Sequence, residues 1–376
     1  MTIDRLPILD LGPSIEADRD ALRDAFERVL DSGQFIGGAE VTSFEEEAAA
    51  FLGVPYAVGL NSGTDALVIG LRALGVGPGD EVITTPFTFF ATAEAISLLG
   101  ATPVLVDIEQ DTFNLDPERV EAAVTDQTKA LLPVHLFGRP AAMDPLLDIA
   151  RRHGLAVVED CAQSFGARYD GEDGAGAGPM TGAMGDVGTY SFFPSKNLGA
   201  FGDAGMLATH SEDLAAVARK LRAHGGAHKY HNEMLGYNSR LDSLQAAMLR
   251  VRLQHVPEWN EARRAVAARY TDALDGVPGV VAPEVSPGHV FHQYTVRVTE
   301  GRRDAVAATL EAEGIQTMVY YPTPIHRLPV YLDGAMGTFP VTEKAADEVL
   351  SLPIGPSLET ADVDRVVHAL RQAVLS

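Results

Sequence analysis

The chain has 376 residues, enough for two compact domains, and 46% hydrophobic with 22% charged residues is typical of a globular protein. One cysteine excludes a disulfide framework and a cysteine-rich metal site. The formal net charge of −23 argues against nonspecific nucleic-acid binding. No stretch approaches 18 uninterrupted apolar residues, so we expect a cytoplasmic protein without a signal segment or a membrane span.

Strands and helices alternate through the first part of the sequence. Helical spacing predicts two opening helices, at 15–31 and 43–52. Strands are then predicted at 57–60, 81–85, 102–107, 130–134, 155–160 and 187–193, with helices at 65–74, 92–99, 117–124 and 145–153. Because the strands are continuous apolar runs, this rhythm predicts an α/β fold with a mostly parallel sheet covered by helices on both faces.

The later part of the sequence has a different character. Helices are predicted at 213–223 and over 241–274, where Pro257 interrupts the pattern. From Pro283 onward, strands at 292–298 and 316–321 and helices at 304–313 and 361–375 predict a smaller α+β domain. We therefore expect two domains, 1–250 and 251–376. The glycine-rich run at 171–178 predicts a mobile surface loop, because no buried strand precedes it as a dinucleotide site requires.

One lysine stands apart from every other cation in its region. Lys196 follows a predicted strand, lies between Pro194 and Gly199, and is the only lysine or arginine between Arg168 and Arg219. Burial in an apolar loop would lower the pKa of such a lysine and leave its free amine ready for carbonyl chemistry. Taken alone, an exposed loop lysine is the commoner case.

A short turn between a strand and a helix offers an anion site. Gly63 allows close approach of the backbone, while Ser62 and Thr64 supply hydroxyl groups. The N-terminus of the following helix adds free N–H groups and the positive end of a dipole. A plain helix cap explains the same residues equally well.

Two further residues suit a flat, cationic ring. Asp160 ends an apolar strand, at the edge where open α/β sheets bind ligands, and burying its carboxylate requires a cation such as a protonated pyridine nitrogen. Phe89 could stack on the ring. The alternatives are a turn cap for Asp160 and a core position for Phe89. With the anion turn and Lys196, these are the parts that hold pyridoxal phosphate (PLP) as a Schiff base.

The order of these parts resembles the fold-type I PLP enzymes. More narrowly, seven segments in sequence order resemble the DegT/DnrJ/EryC1/StrS family of sugar aminotransferases: 44–46, 62–67, 133–138, 159–163, 191–199, 236–242 with 245–247, and 350–353. The resemblance implies the aspartate aminotransferase-like fold, with a large PLP-binding domain and a small C-terminal domain. It covers nearly the whole chain.

The resemblance also implies roles for individual residues. Lys196 would bind the cofactor covalently, Asp160 would pair with the pyridinium nitrogen, and both would be catalytic. Gln163 would contact the ring or its 3-hydroxyl, and Phe89 would stack on the ring. The phosphate would be held by Gly63, Thr64 and Ser191.

Three further residues are implied on the side of the substrate and of a second subunit. Asn238 would reach the phosphate of a neighbouring subunit, which implies a homodimer with shared active sites. Arg240 would assist there, and His326 would face the substrate, with a surface-loop histidine as the alternative. No metal site is expected.

The implied reaction is a transamination. An amino group would pass from an amino acid, with L-glutamate as the expected donor, to C-3 or C-4 of a nucleotide-linked keto-sugar, a dTDP-deoxysugar, in aminosugar biosynthesis. Related 3-dehydratases carry histidine in place of the lysine, so Lys196 argues against that activity. A keto-inositol aminotransferase shares all of these motifs. A non-catalytic PLP-binding regulator is disfavoured by the charge of −23 and the lack of a helix-turn-helix segment.

Overall fold

A seven-stranded sheet forms the centre of the fold in the computed structural model, which describes residues 5–171, 178–228, 230–334 and 336–375. Its strands are β1 (Tyr56–Leu60), β2 (Glu81–Thr84), β3 (Thr102–Leu105), β4 (Thr128–Leu131), β5 (Ala156–Asp160), β6 (Val187–Ser191) and β7 (Gly205–Thr209). They lie in the order β1-β7-β6-β5-β4-β2-β3. The pairs within β3-β2-β4-β5-β6 are parallel, and β7 is antiparallel to both of its neighbours. The predicted α/β fold with a mostly parallel sheet is confirmed.

Helices precede, connect and cover the strands. They are α1 (Gly12–Ala17), α2 (Arg19–Ser32), α3 (Ala39–Leu52), α4 (Gly63–Ala73), α5 (Phe90–Leu98), α6 (Pro117–Val120), α7 (Met143–His153) and α8 (Glu212–Leu221). Side chains alternate across the sheet, as β7 illustrates. Met206 packs into the core on one face with Phe44 of α3, and Leu207 packs into the core on the other face with Leu67 of α4.

A second, three-stranded antiparallel sheet lies in the C-terminal part, in the order β10 (Val349–Leu352), β9 (Tyr294–Val298) and β8 (Val280–Val281). The helices of this part are α9 (Ser243–Leu253), α10 (Val256–Leu274), α11 (Arg303–Ala312), α12 (Pro340–Glu348) and α13 (Thr360–Leu375). This part has its own core, in which Tyr270, Val296, Leu310 and Leu370 meet. No helix of the described residues is long and apolar enough to cross a membrane.

The proposed division at residue 250 stays a prediction. Residue 250 lies within α9, and the chain turns at Gln254 and His255 before α10 begins. Pro257 was expected to interrupt a helix, and it instead stands in the first turn of α10, where its missing N–H has no intrahelical partner to lose. Leu6, from the opposite end of the chain, packs in the C-terminal core.

Some predicted elements differ from the structure. Residues 316–321 were expected to form a strand, but only Met318 pairs there, as an isolated bridge to Ser351. Strand β7 was not predicted, because its apolar run of Met206, Leu207 and Ala208 is short and follows a turn-rich segment. Residues 172–177 of the predicted mobile loop lie outside the described residues.

The start of β7 lies against the turn that begins α4, and this contact requires glycine. A β-carbon on Gly205 would stand 2.3 Å from the carbonyl oxygen of Ser62 and 2.7 Å from the backbone nitrogen of Gly63. We expect Gly205→Ala to lower the free energy of unfolding by about 1–3 kcal/mol, measured by urea denaturation, because backbone must move to relieve the overlap. Gly77→Ala adds a methyl group in open space and is the control. Equal unfolding curves for the two variants would refute the close-contact argument.

Candidate active site

A cavity of about 630 Å³ opens where the carboxyl ends of β5 and β6 meet the N-terminus of α4. Ligands of open α/β sheets bind at this edge, because helix N-termini and strand ends converge there. Seven of the ten residues predicted for the site line the cavity: Gly63, Thr64, Phe89, Asp160, Gln163, Ser191 and Lys196.

The first turn of α4 forms one wall. Ser62 caps the helix, because its Oγ accepts a hydrogen bond of 3.1 Å from the N–H of Asp65. Gly63 lies so close to Ser191 that a β-carbon would stand 2.6 Å from that residue's own β-carbon. The N–H groups of the first helical turn have no intrahelical partner. With the hydroxyls of Thr64 and Ser191 they can bind an anion, so the capping and anion-binding interpretations are compatible.

Asp160 forms the floor at the end of β5. Its Oδ2 accepts a hydrogen bond of 2.8 Å from Thr92 Oγ1, and its Oδ1 accepts one of 3.1 Å from the N–H of Ala162. Because Thr92 donates to Asp160, the hydroxyl of Thr88, 2.9 Å away, must donate to Thr92. Burial raises the pKa of Asp160, while these hydrogen bonds and the charge of Lys196 favour the ionised form. The carboxylate caps a local turn and also faces the cavity.

Lys196 lies opposite this carboxylate. Burial lowers its pKa to about 8, although the charge of Asp160 acts in the other direction. Its Nζ forms no hydrogen bond with any residue that the structure describes, and no other lysine or arginine lines the cavity among those residues. A substantial fraction of the amine is therefore uncharged in mildly alkaline solution.

The remaining walls carry an amide and two aromatic rings. Gln163 accepts a hydrogen bond of 2.6 Å from the N–H of Phe137 at Oε1, and its Nε2 donates to the hydroxyl of Tyr321 over 2.9 Å. The orientation of this amide is therefore fixed. Phe89 is 60% exposed and lies with its ring centroid 6.3 Å from that of Tyr321. It is a wall of the cavity and not a core residue.

The other three predicted residues lie outside this cavity. Asn238 is exposed, and its Oδ1 accepts a hydrogen bond of 2.6 Å from Arg240. His326 is buried, with its Nε2 3.1 Å from Glu343 Oε1 and its ring against Phe339. A single chain thus brings none of them to Lys196, and His326 is not a surface-loop residue either.

Several lining residues were missed from the sequence. They include Thr88, Thr92, His292, Gln293, Tyr320 and Tyr321. Tyr320 and Tyr321 begin the segment from which only His326 was chosen as a site residue. The two adjacent aromatic residues could have indicated from the sequence that this segment reaches the cavity. His292 and Gln293 follow a segment of ordinary composition, about 100 positions after Lys196, and nothing local marks them.

His135, Glu159 and Cys161 bring possible metal ligands within 4.8 Å of one another, but hydrogen bonds already occupy them. His135 Nε2 lies 2.9 Å from Glu159 Oε2, and its Nδ1 accepts from the N–H of Ala141 over 2.9 Å. Glu159 also accepts from the backbone N–H groups of residues 182, 184 and 185. Burial raises the pKa of the Cys161 thiol. The cluster is a hydrogen-bonded support behind Asp160.

A sequence model of the DegT/DnrJ/EryC1/StrS aminotransferase family matches residues 16–371. The chain belongs to this family. It is therefore an aminotransferase, and the resemblance inferred from the seven segments is confirmed.

Close relatives match over almost their full lengths. A protein of Streptomyces venezuelae named dTDP-3-amino-3,4,6-trideoxy-alpha-D-glucose transaminase is 48% identical over 374 residues, which cover 98% of this chain and 96% of the relative. A protein of Geobacillus stearothermophilus named pleiotropic regulatory protein is also 48% identical, over 373 residues and 98% of each chain.

Solved structures agree with this assignment. The crystal structure of S. venezuelae DesV in complex with a ketimine intermediate has a TM-score of 0.94 and 47% identity, and the match covers 99% of both chains. NtdA from Bacillus subtilis, solved with bound cofactor PMP, has a TM-score of 0.91 and 33% identity over 100% of this chain and 86% of NtdA. The aminotransferase thus shares its fold with enzymes of this class along its whole length.

Proposed function

We propose that this aminotransferase transfers the amino group of L-glutamate to C-3 or C-4 of a dTDP-linked keto-deoxysugar in aminosugar biosynthesis, using PLP. One observation carries the proposal: Lys196, with its lowered pKa, and the buried carboxylate of Asp160 line the same cavity. The N-terminus of α4 lies beside them. The substrate class rests on the name of the S. venezuelae relative.

The cavity suits PLP group by group. The first turn of α4, with Thr64 and Ser191, supplies N–H and hydroxyl donors for a phosphate. Asp160 supplies the negative charge that a pyridinium nitrogen needs, and its buried position removes competing water. The exposed face of Phe89 suits stacking on a flat ring. Bound in this cavity, PLP would supply an electron sink for the carbon atom that loses a proton.

Lys196, Asp160 and Gln163 have separate roles in the proposed reaction. Lys196 Nζ removes the proton from the α-carbon of the amino donor and returns a proton to the sugar carbon in the second half-reaction. Because its pKa is about 8, it can act in both directions near neutral pH. Asp160, held by Thr92 and the N–H of Ala162, keeps its charge directed into the cavity. Gln163 is held by Phe137 and Tyr321 and fixes the side of the cavity next to Asp160.

We also propose that the enzyme is a homodimer with shared sites. A phosphate, the carboxylates of glutamate and a nucleotide diphosphate are all anionic, yet Lys196 is the one lysine or arginine among the described cavity residues. Asn238 and Arg240 lie outside the cavity of their own chain. A second subunit that placed these two residues at the cavity would supply the missing donors. The domain division at residue 250 and the cytoplasmic location also stay predictions.

The experiment that tests the function supplies the amino donor and the keto-sugar acceptor together and measures the released 2-oxoglutarate. The purified protein is incubated with L-glutamate and each of a panel of dTDP- and UDP-linked 3-keto and 4-keto sugars, with scyllo-inosose included. We expect 2-oxoglutarate to be released with a dTDP-linked keto-sugar. Turnover with scyllo-inosose alone would instead establish the keto-inositol activity, and no turnover with any acceptor would favour a regulator.

Borohydride reduction of the same holoenzyme identifies the lysine involved, and we expect the pyridoxyl group on Lys196. Attachment to any other lysine would refute the assigned site, while leaving the substrate result to stand by itself.

Asp160→Asn should retain bound PLP and lower kcat by about 100-fold or more, because a neutral amide no longer stabilises a protonated ring nitrogen. Steady-state kinetics and the cofactor content of the purified variant check this result. Asp107→Asn is the control, because Asp107 is also a buried carboxylate but binds the N-terminus of α12 away from the cavity. If kcat of Asp160→Asn fell by less than about threefold, the activation free energy would have changed by under about 1 kcal/mol. Asp160 would then serve only as a turn cap.

Subunit mixing tests the shared site. Lys196→Ala and Asn238→Ala are each expected to be impaired, the second by loss of a phosphate contact of about 1.5–3 kcal/mol. A heterodimer of the two carries one site with both defects and one intact site, so activity should return when subunits exchange.

Recovery above the sum of the two separate preparations supports sharing between subunits. The absence of recovery, after mass spectrometry has shown that the subunits exchanged, would place Asn238 outside the neighbour's site. Mixing Lys196→Ala with the Gly77→Ala variant is the control for simple dilution, because Gly77 lies in open space away from the cavity.

A further inference from the structure

Buried side chains link the residue after Lys196 to the C-terminal part of the molecule. Asn197 donates from Nδ2 to Asn260 Oδ1 over 2.7 Å and to the carbonyl oxygen of Val290 over 3.1 Å. Its Oδ1 lies 3.1 Å from Nδ1 of His292. Asn197, Asn260 and His292 are all buried. The turn that carries the lysine is therefore tied to α10 and to the segment that enters β9.

Two backbone carbonyls fix the direction of every hydrogen bond in this network, because a carbonyl oxygen can only accept. Asn260 Nδ2 donates to the carbonyl of Phe165 over 3.1 Å, so its Oδ1 faces Asn197. Asn197 uses its two N–H groups on Asn260 and Val290, so its Oδ1 must accept from His292. His292 therefore carries its proton on Nδ1, and Nε2 has the lone pair.

The surroundings keep His292 uncharged. Burial lowers its pKa well below the usual value, and the charges of Lys196 and Arg263 act in the same direction. Arg263 is buried on α10, and its Nη1 donates to the carbonyls of Phe291 and His292 at 3.3 and 3.4 Å. A neutral imidazole with its proton on Nδ1 is an acceptor at Nε2.

His292 and Lys196 line the same cavity, and neither His292 Nε2 nor Lys196 Nζ forms a hydrogen bond within the described residues. The other titratable groups that line the cavity are Asp160, Asp203, Tyr320 and Tyr321. Of these, Asp160 is already hydrogen-bonded to Thr92 and Ala162. An acceptor without a partner and a donor without a partner thus line one cavity.

We propose that His292 is a positioning residue for Lys196: through Asn197 it fixes the turn that carries the lysine, and through Nε2 it accepts a hydrogen bond that orients the free amine. This role rests on the proposed function only in taking Lys196 as the catalytic amine. The C-terminal part of the chain would then orient a lysine in the turn that follows β6 of the large sheet.

Two substitutions separate the two halves of this role. His292→Asn keeps a side-chain N–H near the position of Nδ1, for Asn197, but has no atom at the position of Nε2. His292→Gln places a polar group near Nε2 but removes the donor to Asn197. Full-length, cofactor-free protein is trace-labelled with acetic anhydride over a pH series. Mass spectrometry then gives the labelling of Lys196 relative to Lys129 and hence the midpoint of its titration.

The two variants are expected to shift this midpoint in opposite directions. Loss of the acceptor in His292→Asn destabilises the ammonium form and lowers the midpoint by about one pH unit, a tenfold change in the free-amine ratio. Loss of the tether in His292→Gln admits water to the lysine and raises the midpoint by about one unit. In the holoenzyme, both should lower kcat without raising KM for either substrate.

His289→Asn is the matched control. His289 is also a buried histidine, but it donates from Nε2 to the carbonyl of Phe137 and does not line the cavity, so the midpoint should not move. Where a His292 variant yields too little folded protein, Asn197→Ala tests the tether and should act as His292→Gln does.

Midpoints within about 0.3 unit of the parent in both His292 variants would overturn the proposal. A raised KM with an unmoved midpoint would also overturn it, because His292 would then be a substrate contact. The titration midpoints are measured without cofactor or sugar, so unmoved midpoints are distinct from a failure of the proposed function.

Discussion

The structure depends on the burial of two opposite charges in one cavity. Asp160 is buried and Lys196 is half-buried, and this loss of water raises the pKa of the acid and lowers that of the amine. Each charge partly offsets the cost of burying the other. The result is an amine that can release its proton near neutral pH beside a carboxylate that can hold a cationic ring. These are the two opposing requirements of the transamination that we propose for this cavity.

The fold creates that space by bringing backbone very close to backbone. Gly205, Gly63 and Ser191 pack so tightly that the first turn of α4 is held against the ends of β6 and β7. Asp160 is supported from behind by Glu159, whose carboxylate is saturated by His135 and three backbone N–H groups. The polar atoms that face the cavity are therefore preorganised, so less ordering is needed when a cofactor and substrate bind.

Motif residues on strand ends and turns were predictable because local rules place them. A carboxylate after an apolar strand, a glycine at a helix start and a lone lysine in a glycine-bounded loop each have a local physical reason, and the parallel sheet brings them to one edge. Phe89 could not be decided from sequence, since core and cavity phenylalanines have the same local pattern; its 60% exposure decides it. His326 was expected near the substrate, but the fold buries it against Glu343 and Phe339.

The sequence by itself determined the alternation of strands and helices, the family, and the chemical character of the residues at the edge of the sheet. These depend on periodicity and on short motifs, which act over a few neighbouring positions. Only the tertiary structure decided which distant groups complete the cavity: Tyr321 on Gln163, Thr92 on Asp160, and His292 beside Lys196. Such pairings follow from how separate elements pack in space, and hydrogen bonding and desolvation act across that packing whatever the separation along the chain.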